Sequence, residues 1–192
     1  MAVKSNAFNI LRMMEEYGEE FVQKTIDEFS CPKNPEIENF LRQRAIMFAK
    51  RRISITYLVF DDTMQFIGYF TLTHKAISVP VDSVSKTVAK KLKTYSRYEE
   101  STNSFEVSAF LLAQFGKNFA VSTEMSGNEL METALMILQQ VQTMIGGSVV
   151  FLECEHEPKL LSFYQNEHNR FHLYGERISA DNIEYYQLLK LL

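Results

Sequence analysis

Cysteine is scarce in this chain: its 192 residues include two, Cys31 and Cys154. Two cysteines build no disulfide framework, and no histidine or cysteine lies near them at zinc-ligand spacing. A reducing, cytoplasmic setting is the simpler expectation. Long apolar runs are missing too. No stretch approaches the ~20 apolar residues of a membrane span, and the opening Met1-Ala-Val-Lys-Ser-Asn6 holds no apolar leader core. No repeat, low-complexity segment or linker interrupts the chain, which reads as one α/β domain over residues 1–192. Positive charge is not in excess: the net charge is −4, with no general reason to expect nucleic-acid binding. Only residues 86–97 are locally basic (Lys86, Lys90, Lys91, Lys93, Arg97), and such a run is by default a solvated helix face. What remains is ordinary globular usage, 46 % hydrophobic and 23 % charged, at a length that buries one sizeable core.

Hydrophobic spacing predicts the elements. Phe8, Ile10, Leu11, Met14, Phe21, Val22, Ile26 and Phe29 recur at helical intervals, so residues 7–29 read as one helix or as two broken at Gly18. Ser30-Cys-Pro-Lys-Asn-Pro35 stops that pattern. Asn34 caps a second helix with Pro35 in its first position, and Lys50-Arg-Arg52 complements the dipole at its end. β-Branched and aromatic runs at 54–60 and 65–73, joined by Asp61-Asp-Thr-Met64, predict a hairpin. An amphipathic helix over 82–95, with Val84, Val88 and Leu92 on one side, precedes a polar connection at 99–103. A strand at 105–114, a loop at 116–125 and a helix at 126–145 stopped by Gly146-Gly147 come next. A strand at 148–154, a helix from Pro158 to about 167, and two strands at 171–178 and 183–189 complete the chain.

Strand, loop, capped helix, strand, then a helix with a tyrosine is an order that suits an anionic cofactor. Ser126 and Glu129 form a capping box, each side chain satisfying a backbone donor of the other. Alone this is a structural cap. Its functional version is an anion site made by the remaining amides and the helix dipole, with Gly127 letting a pyrophosphate approach the backbone. Tyr164 is by default a core or rim tyrosine with a satisfied hydroxyl. Its functional version is a general acid, since a phenol of ordinary pKa ~10 can protonate a departing thiolate. Together these features point to a coenzyme A-dependent acyltransferase.

Asn34-Pro-Glu-Ile-Glu-Asn-Phe-Leu41, Thr56-Tyr-Leu-Val-Phe60 and Gly68-Tyr-Phe-Thr-Leu72 resemble the front half of bacterial proteins of the GNAT superfamily of N-acetyltransferases, the group related to acetyltransferase toxins included. Leu160-Leu-Ser-Phe-Tyr164, followed by Asn169-Arg-Phe171, resembles that family's Phe-Tyr-x-x-x-Gly-Phe segment. The resemblance implies an α/β (α+β) GNAT acyl-CoA N-acyltransferase fold, with a central mixed, mostly antiparallel sheet flanked by helices. It implies acetyl-CoA or coenzyme A as cosubstrate and acetyl transfer to an amine by direct attack, with Tyr164 as the general acid. It also places the thioester carbonyl and pantetheine arm on the strand at Leu111 and Leu112, and the pyrophosphate at Ser126, Gly127 and Asn128.

The chain departs from the family's pattern in places. Of the loop motif Gln/Arg-x-x-Gly-x-Gly/Ala, Ser122-Thr-Glu-Met-Ser-Gly127 keeps the last glycine; Met125 replaces the first, and Glu124 brings negative charge. Glu157 stands where the family often has asparagine, and Asn169-Arg170 replaces the glycine before Phe171. For the general base the first candidate is Glu106, with Glu153 and Glu155 as alternatives. His74, His156, His168 and His172 show no metal or triad spacing and read as surface or rim residues, so no metal is expected. The acceptor is a small-molecule, peptide or aminoacyl amine, a homodimer accords with the superfamily, and no membrane partner is expected. Two rivals stand beside the enzyme reading. One is a non-catalytic GNAT-like binding or regulatory module, which the altered loop favours. The other is a toxin-type acetyltransferase acting on aminoacyl-tRNA and held by a small antitoxin, with the basic segment 86–97 contacting RNA.

Overall fold

Strand β1 (Asn6–Asn9) opens the described part of the chain, residues 6–192 of a computed structural model; residues 1–5, read above for a leader, lie outside it. It replaces the first turn of the helix expected over 7–29, because its backbone pairs with β2 (Ile55–Phe60) from Asn6↔Phe60 to Asn9↔Tyr57. Asn9 then caps α1 (Ile10–Tyr17), its Oδ1 accepting the Leu11 N–H at 2.9 Å. Gly18, at φ +85°, separates α1 from α2 (Glu19–Asp27). Asn34 accepts from the amides of Glu36 and Ile37 and caps α3 (Pro35–Gln43), with Pro35 in the first turn as expected. Arg44 stands between α3 and α4 (Ala45–Lys50).

Strand β3 (Phe66–Pro80) runs on past the expected end at Thr73. A 3-10 turn at Val81–Ser83 and the Ser85 cap then delay α5 to Lys86–Tyr95, leaving Val84 outside the helix. Glu99, the first residue of the expected polar connection, ends strand β4 (Arg97–Glu99), which pairs with the start of β5 (Ser104–Lys117) from Arg97↔Glu106 to Glu99↔Ser104. Helix α6 (Gly127–Ile145), β6 (Val149–Glu155), α7 (Pro158–Gln165), β7 (His172–Ile178) and β8 (Glu184–Leu191) follow in the expected order. Gly146 and Gly147, at φ +76° and +98°, end α6 in the left-handed region that favours glycine.

The strands form an eight-stranded sheet in the order β1-β2-β3-β5-β6-β8-β7, with β4 added to β5. The β5–β6 pair is parallel, whereas β1–β2, β2–β3, β4–β5, β6–β8 and β7–β8 are antiparallel. This is the mixed, mostly antiparallel sheet flanked by helices that the resemblance implies.

The chain divides into two compact units, Met1–Thr73 with Leu112–Met136, and His74–Leu111 with Ile137–Leu192. In the first, Ile10, Val22, Phe29 and Leu41 from the helical side of the unit pack with Leu58 and Tyr69 of its strands. Asn118, 1 % exposed, ties that unit together: its Oδ1 accepts the Ser30 amide at 2.9 Å and its Nδ2 donates to the Phe66 carbonyl at 2.9 Å. In the second, Val88 and Leu92 of α5 join Val107, Phe151, Tyr174 and Leu189 of the strands.

Candidate active site

Tyr164 lies in the last turn of α7, a helix that Pro158 starts without the loss of an intrahelical bond. The segment after it is closely tied. Asn166 Oδ1 accepts the amides of His168 and Asn169 at 2.9 and 2.8 Å, and the buried Asn169 donates from Nδ2 to the Phe163 carbonyl at 2.8 Å. Lys190 donates in turn to the Asn169 carbonyl at 2.7 Å. Arg170, where the resemblance places a glycine, holds φ +53°. The glycine-type turn is therefore kept by an arginine, at a cost of about 1–2 kcal/mol.

The tyrosine itself is buried, its ring edge-to-face with Phe163 and Phe171 at 5.0 and 5.9 Å. Burial raises its pKa well above the ordinary phenol value, and the neighbouring Cys154 adds to the rise. A phenol so placed stays protonated at neutral pH, as an ordinary phenol does, and the rise makes it a weaker acid toward a thiolate. Burial, then the charge of Glu155, pushes the Cys154 thiol up to about 12, so it is no thiolate nucleophile at neutral pH.

On the strands, Leu111 pairs with Phe151 and Phe110 with Val150 in the parallel register of β5 and β6. Strand β6 continues from there to Glu155 in full register with β8. Leu111 and Leu112 are successive residues of β5, so their side chains take opposite faces. Glu106 is exposed, paired in register with Arg97, and accepts a long hydrogen bond from Ser104 Oγ at 3.4 Å. Five residues of extended strand separate it from Leu111, about 17 Å. The structure does not bring these two together, and a proton transfer needs hydrogen-bond reach or one bridging water. Glu153 is engaged elsewhere: its carboxylate accepts from Arg177, with one bond at 2.7 Å, and from Gln187 Nε2 at 2.9 Å. Glu155 is exposed at the end of β6.

Ser126, Gly127 and Asn128 form the start of α6. The capping box is closed, the Ser126 amide donating to Glu129 Oε2 at 2.7 Å and the Glu129 amide to Ser126 Oγ at 3.2 Å. Met125 is 1 % exposed, its side chain in the core, its amide on Thr123 Oγ1 at 3.1 Å and its carbonyl accepting from Lys117 Nζ. The methionine that replaces a glycine thus anchors the loop without covering its outer backbone, and Glu124 faces solvent.

Two cavities lie outside this set. One, of about 440 Å³, is bordered by His74, Tyr95, Ser108, Phe110 and the Gly146-Gly147 corner. The other, of about 420 Å³, is lined by Glu36, Asn39, Phe40, Gln43, Arg44 and Gln114. Sequence reasoning named none of these six as site residues, although Glu36, Asn39 and Phe40 lie in the Asn34–Leu41 segment of the resemblance, because Gln114 is far from the rest along the chain. His156 stacks on Tyr186 with centroids 4.0 Å apart, and its ring nitrogens lie 3.6 and 3.9 Å from carboxylate oxygens of Glu176 and Glu184. Among the described residues, no group of three or more His, Cys, Asp or Glu is placed to hold a metal ion, and no helix is long and apolar enough to cross a membrane.

No family model matches the chain, and no curated protein matches it in sequence. Solved structures do match. A bacterial toxin is similar at TM-score 0.64 and 15 % identity, over 97 % of this chain and 91 % of that one. AtaTR bound with AcCoA matches at TM-score 0.59 and 14 % identity, over 99 % of this chain and 93 % of that one. AtaT complexed with acetyl-methionyl-tRNAfMet matches at TM-score 0.57 and 16 % identity, over 84 % and 85 %. At such identities the likeness establishes the fold, which is that of the GNAT proteins.

Proposed function

We propose that this chain is an acetyl-CoA-dependent N-acyltransferase that moves an acetyl group to an amine by direct attack, with Tyr164 as the general acid. The carrying observation is the place of Tyr164 in the last turn of α7, directly after β6, in a fold that AtaTR shares and holds with AcCoA bound. We take residues 1–192 as one domain, since β3, β5 and α6 each run unbroken through both compact units. A cytoplasmic setting accords with Cys31 and Cys154, both free buried thiols.

The residues present fit the cofactor. The start of α6 at Ser126, Gly127 and Asn128 presents the helix dipole to the pyrophosphate, with the Ser126 amide already taken by Glu129 Oε2, and the inward turn of Met125 keeps a side chain off that surface. Leu111 and Leu112 offer strand backbone to the pantetheine arm and thioester carbonyl. Acetyl-CoA supplies the acetyl group as a reactive thioester, so proximity accounts for much of the rate. Tyr164 gives its proton to the leaving sulfur as the carbon–sulfur bond breaks and the carbon–nitrogen bond forms. Phe163 and Phe171 hold its ring in place, and burial keeps the proton on it until then.

A finer reading, acetylation of aminoacyl-tRNA by a toxin-type enzyme, is favoured by the likeness to AtaT complexed with acetyl-methionyl-tRNAfMet. The exposed lysines Lys86, Lys90, Lys91 and Lys93 of α5, with Arg97 beyond it, are the RNA contact under that reading.

Thermal unfolding with and without acetyl-CoA and coenzyme A tests the proposal. A ligand at about 100 times its Kd adds ~2.7 kcal/mol to stability and raises the midpoint visibly. No shift at millimolar cofactor overturns the enzyme and leaves a binding module.

A further inference from the structure

Lys190 stands near the end of β8 opposite Val150 of β6, and alternation along β8 puts it on one face with Leu188 and Tyr186, which pair with Leu152 and Cys154. That is the face of the tyrosine, since Cys154 is near enough to Tyr164 for its charge to help raise the phenol. The Lys190 ammonium donates to the Asn169 carbonyl at 2.7 Å and lies 5.9 Å from the centroid of the Phe171 ring. Both contacts fall on the turn that follows α7. Three successive residues of that turn also bond back to the end of the helix. Asn169 Nδ2 donates to the Phe163 carbonyl at 2.8 Å, the Arg170 amide to the Asn166 carbonyl at 2.9 Å, and the Phe171 amide to the Tyr164 carbonyl at 2.9 Å.

The location is unfavourable for a cation. Burial, and then the charge of Arg170, lowers the pKa of Lys190. Among the described residues no carboxylate pairs with it. A lysine at a strand end ordinarily lays its stem along the sheet and leaves its head in water. Lys190 instead directs its charge at a backbone carbonyl and an aromatic ring, both in the segment that packs on Tyr164. That segment needs a tie from outside, because Arg170 holds φ +53°, which a residue other than glycine adopts only at a cost. The tyrosine in turn depends on the segment. Among the described residues its hydroxyl makes no hydrogen bond, so the direction of the ring rests on edge-to-face packing with Phe163 and Phe171 at 5.0 and 5.9 Å.

We propose that Lys190 is the positioning residue of Tyr164: its ammonium fastens the Asn169 carbonyl and the Phe171 ring to β8, and so fixes the direction in which the phenol points. The inference rests on the transferase reading, in which Tyr164 gives its proton to the departing sulfur. A proton passes only within hydrogen-bond reach, so a ring free to swing loses the transfer without losing the hydroxyl. Lys190 acts through Asn169 and Phe171 and not on the reacting atoms. Its charge matters because a neutral, apolar side chain there leaves the Asn169 carbonyl without its ammonium donor. Lys190, Asn169, Phe171 and Tyr164 all belong to the second compact unit.

Carbon-13 NMR of the whole chain labelled in its tyrosine rings tests this, with the Tyr164 signal assigned by its loss in Tyr164→Phe. A buried ring flips only when its packing opens, so the flip rate reads how firmly it is held. Lys190→Met keeps the length of the side chain and removes the charge. It is expected to speed the flipping of Tyr164 about tenfold or more, the rate equivalent of one charge-assisted hydrogen bond. Lys190→Arg keeps a charged donor and is expected to restore the slow ring. Tyr174 and Tyr186, buried in the same unit, are the internal reference and should keep their rates. Turnover in Lys190→Met should fall, with no further loss when Tyr164→Phe is already present. An unchanged Tyr164 ring in Lys190→Met, a rise shared by all three rings, or an additive loss of turnover overturns the proposal. Should that variant unfold, ammonium proton exchange on the unaltered protein decides. Lys190 protons are expected to exchange about tenfold more slowly than those of the exposed lysines of α5, and equal exchange overturns it. A titration with acetyl-CoA separates the two readings. Acetyl-CoA binding with an unchanged ring leaves the transferase standing and removes Lys190 from it. A loosened ring on a protein that does not bind acetyl-CoA leaves Lys190 holding a tyrosine that is no transferase acid.

Discussion

The Phe171 amide donates to the Tyr164 carbonyl at 2.9 Å, and the two rings meet edge to face at 5.9 Å. The residue proposed to deliver the proton is thus held through both backbone and ring by the first residue after the turn at Arg170. Tyr164→Phe keeps this packing and removes only the hydroxyl. It is expected to lower turnover by about 10²-fold or more while leaving the Kd for coenzyme A unchanged. Initial rates and a coenzyme A titration on the same preparation check it, and unchanged turnover removes the assigned role. Phe171→Ala instead opens a buried cavity and is expected to cost about 3–5 kcal/mol in urea unfolding.

Asn118 reaches four backbone groups: it accepts from Ser30 and Ala120 and donates to Phe66 and Glu28. Asn118→Ala leaves several of these without partners, at about 1–3 kcal/mol for each one that water does not reach. Asn118→Asp is the sharper test. Its second oxygen would face two carbonyls, so the folded state raises its pKa and favours the protonated acid. Stability should therefore be lost as pH rises through that raised value and regained below the ordinary aspartate value of about 3.9. Urea unfolding of both variants across pH 3–8 measures this, and a pH-independent loss in the aspartate variant contradicts the hydrogen-bond account.

Glu153 on β6 accepts from Arg177 on β7 and from Gln187 on the β8 strand between them. Burial pushes its pKa up, but the bonds from Arg177 and Gln187 and the charges of Arg177 and Lys75 outweigh it, and the net shift is downward. A depressed acid contributes stability that is present above its unfolded value of about 4.3 and is lost as pH falls through the folded value. Glu153→Gln should lower the unfolding midpoint at pH 7 and flatten its dependence on pH between about 3 and 5. An equal loss at pH 7 and pH 3 shows that the ion pair is not the cause.

Cys154 is 7 % exposed and its thiol is pushed up to about 12. In the folded protein at pH 8 it should react with an alkylating reagent at least 100-fold more slowly than a free thiol of pKa ~8.5, and at the ordinary rate in denaturant. Mass spectrometry of peptides after timed alkylation reads this out. Rapid labelling in the folded state contradicts the burial of Cys154.

The caps and stops were legible because their chemistry is local. Asn34 with Pro35, Ser126 with Glu129, and Gly146 with Gly147 each act over one turn, and the structure places all three as read. Residues 6–9 were not legible. Phe8 and Ile10 fit a helical period, but Asn6–Asn9 is a strand because β2, some fifty residues on, supplies its hydrogen bonds. Strand β4 was hidden for a similar reason: Arg97 reads as the end of the basic run and Glu99 as the start of a polar connection until Glu106, Phe105 and Ser104 pair with Arg97, Tyr98 and Glu99.

By itself the sequence determined the order of elements apart from β1 and β4, the capped start of α6, and the tyrosine on α7, since helical period, capping and turn chemistry act between neighbours in the chain. The tertiary structure alone decided that Met125 turns inward, that Glu106 stands apart from Leu111, and that Glu36 and Arg44 share a cavity with Gln114. Each of these depends on which strand or helix face another element covers, and contacts between distant residues leave no spacing in a single chain.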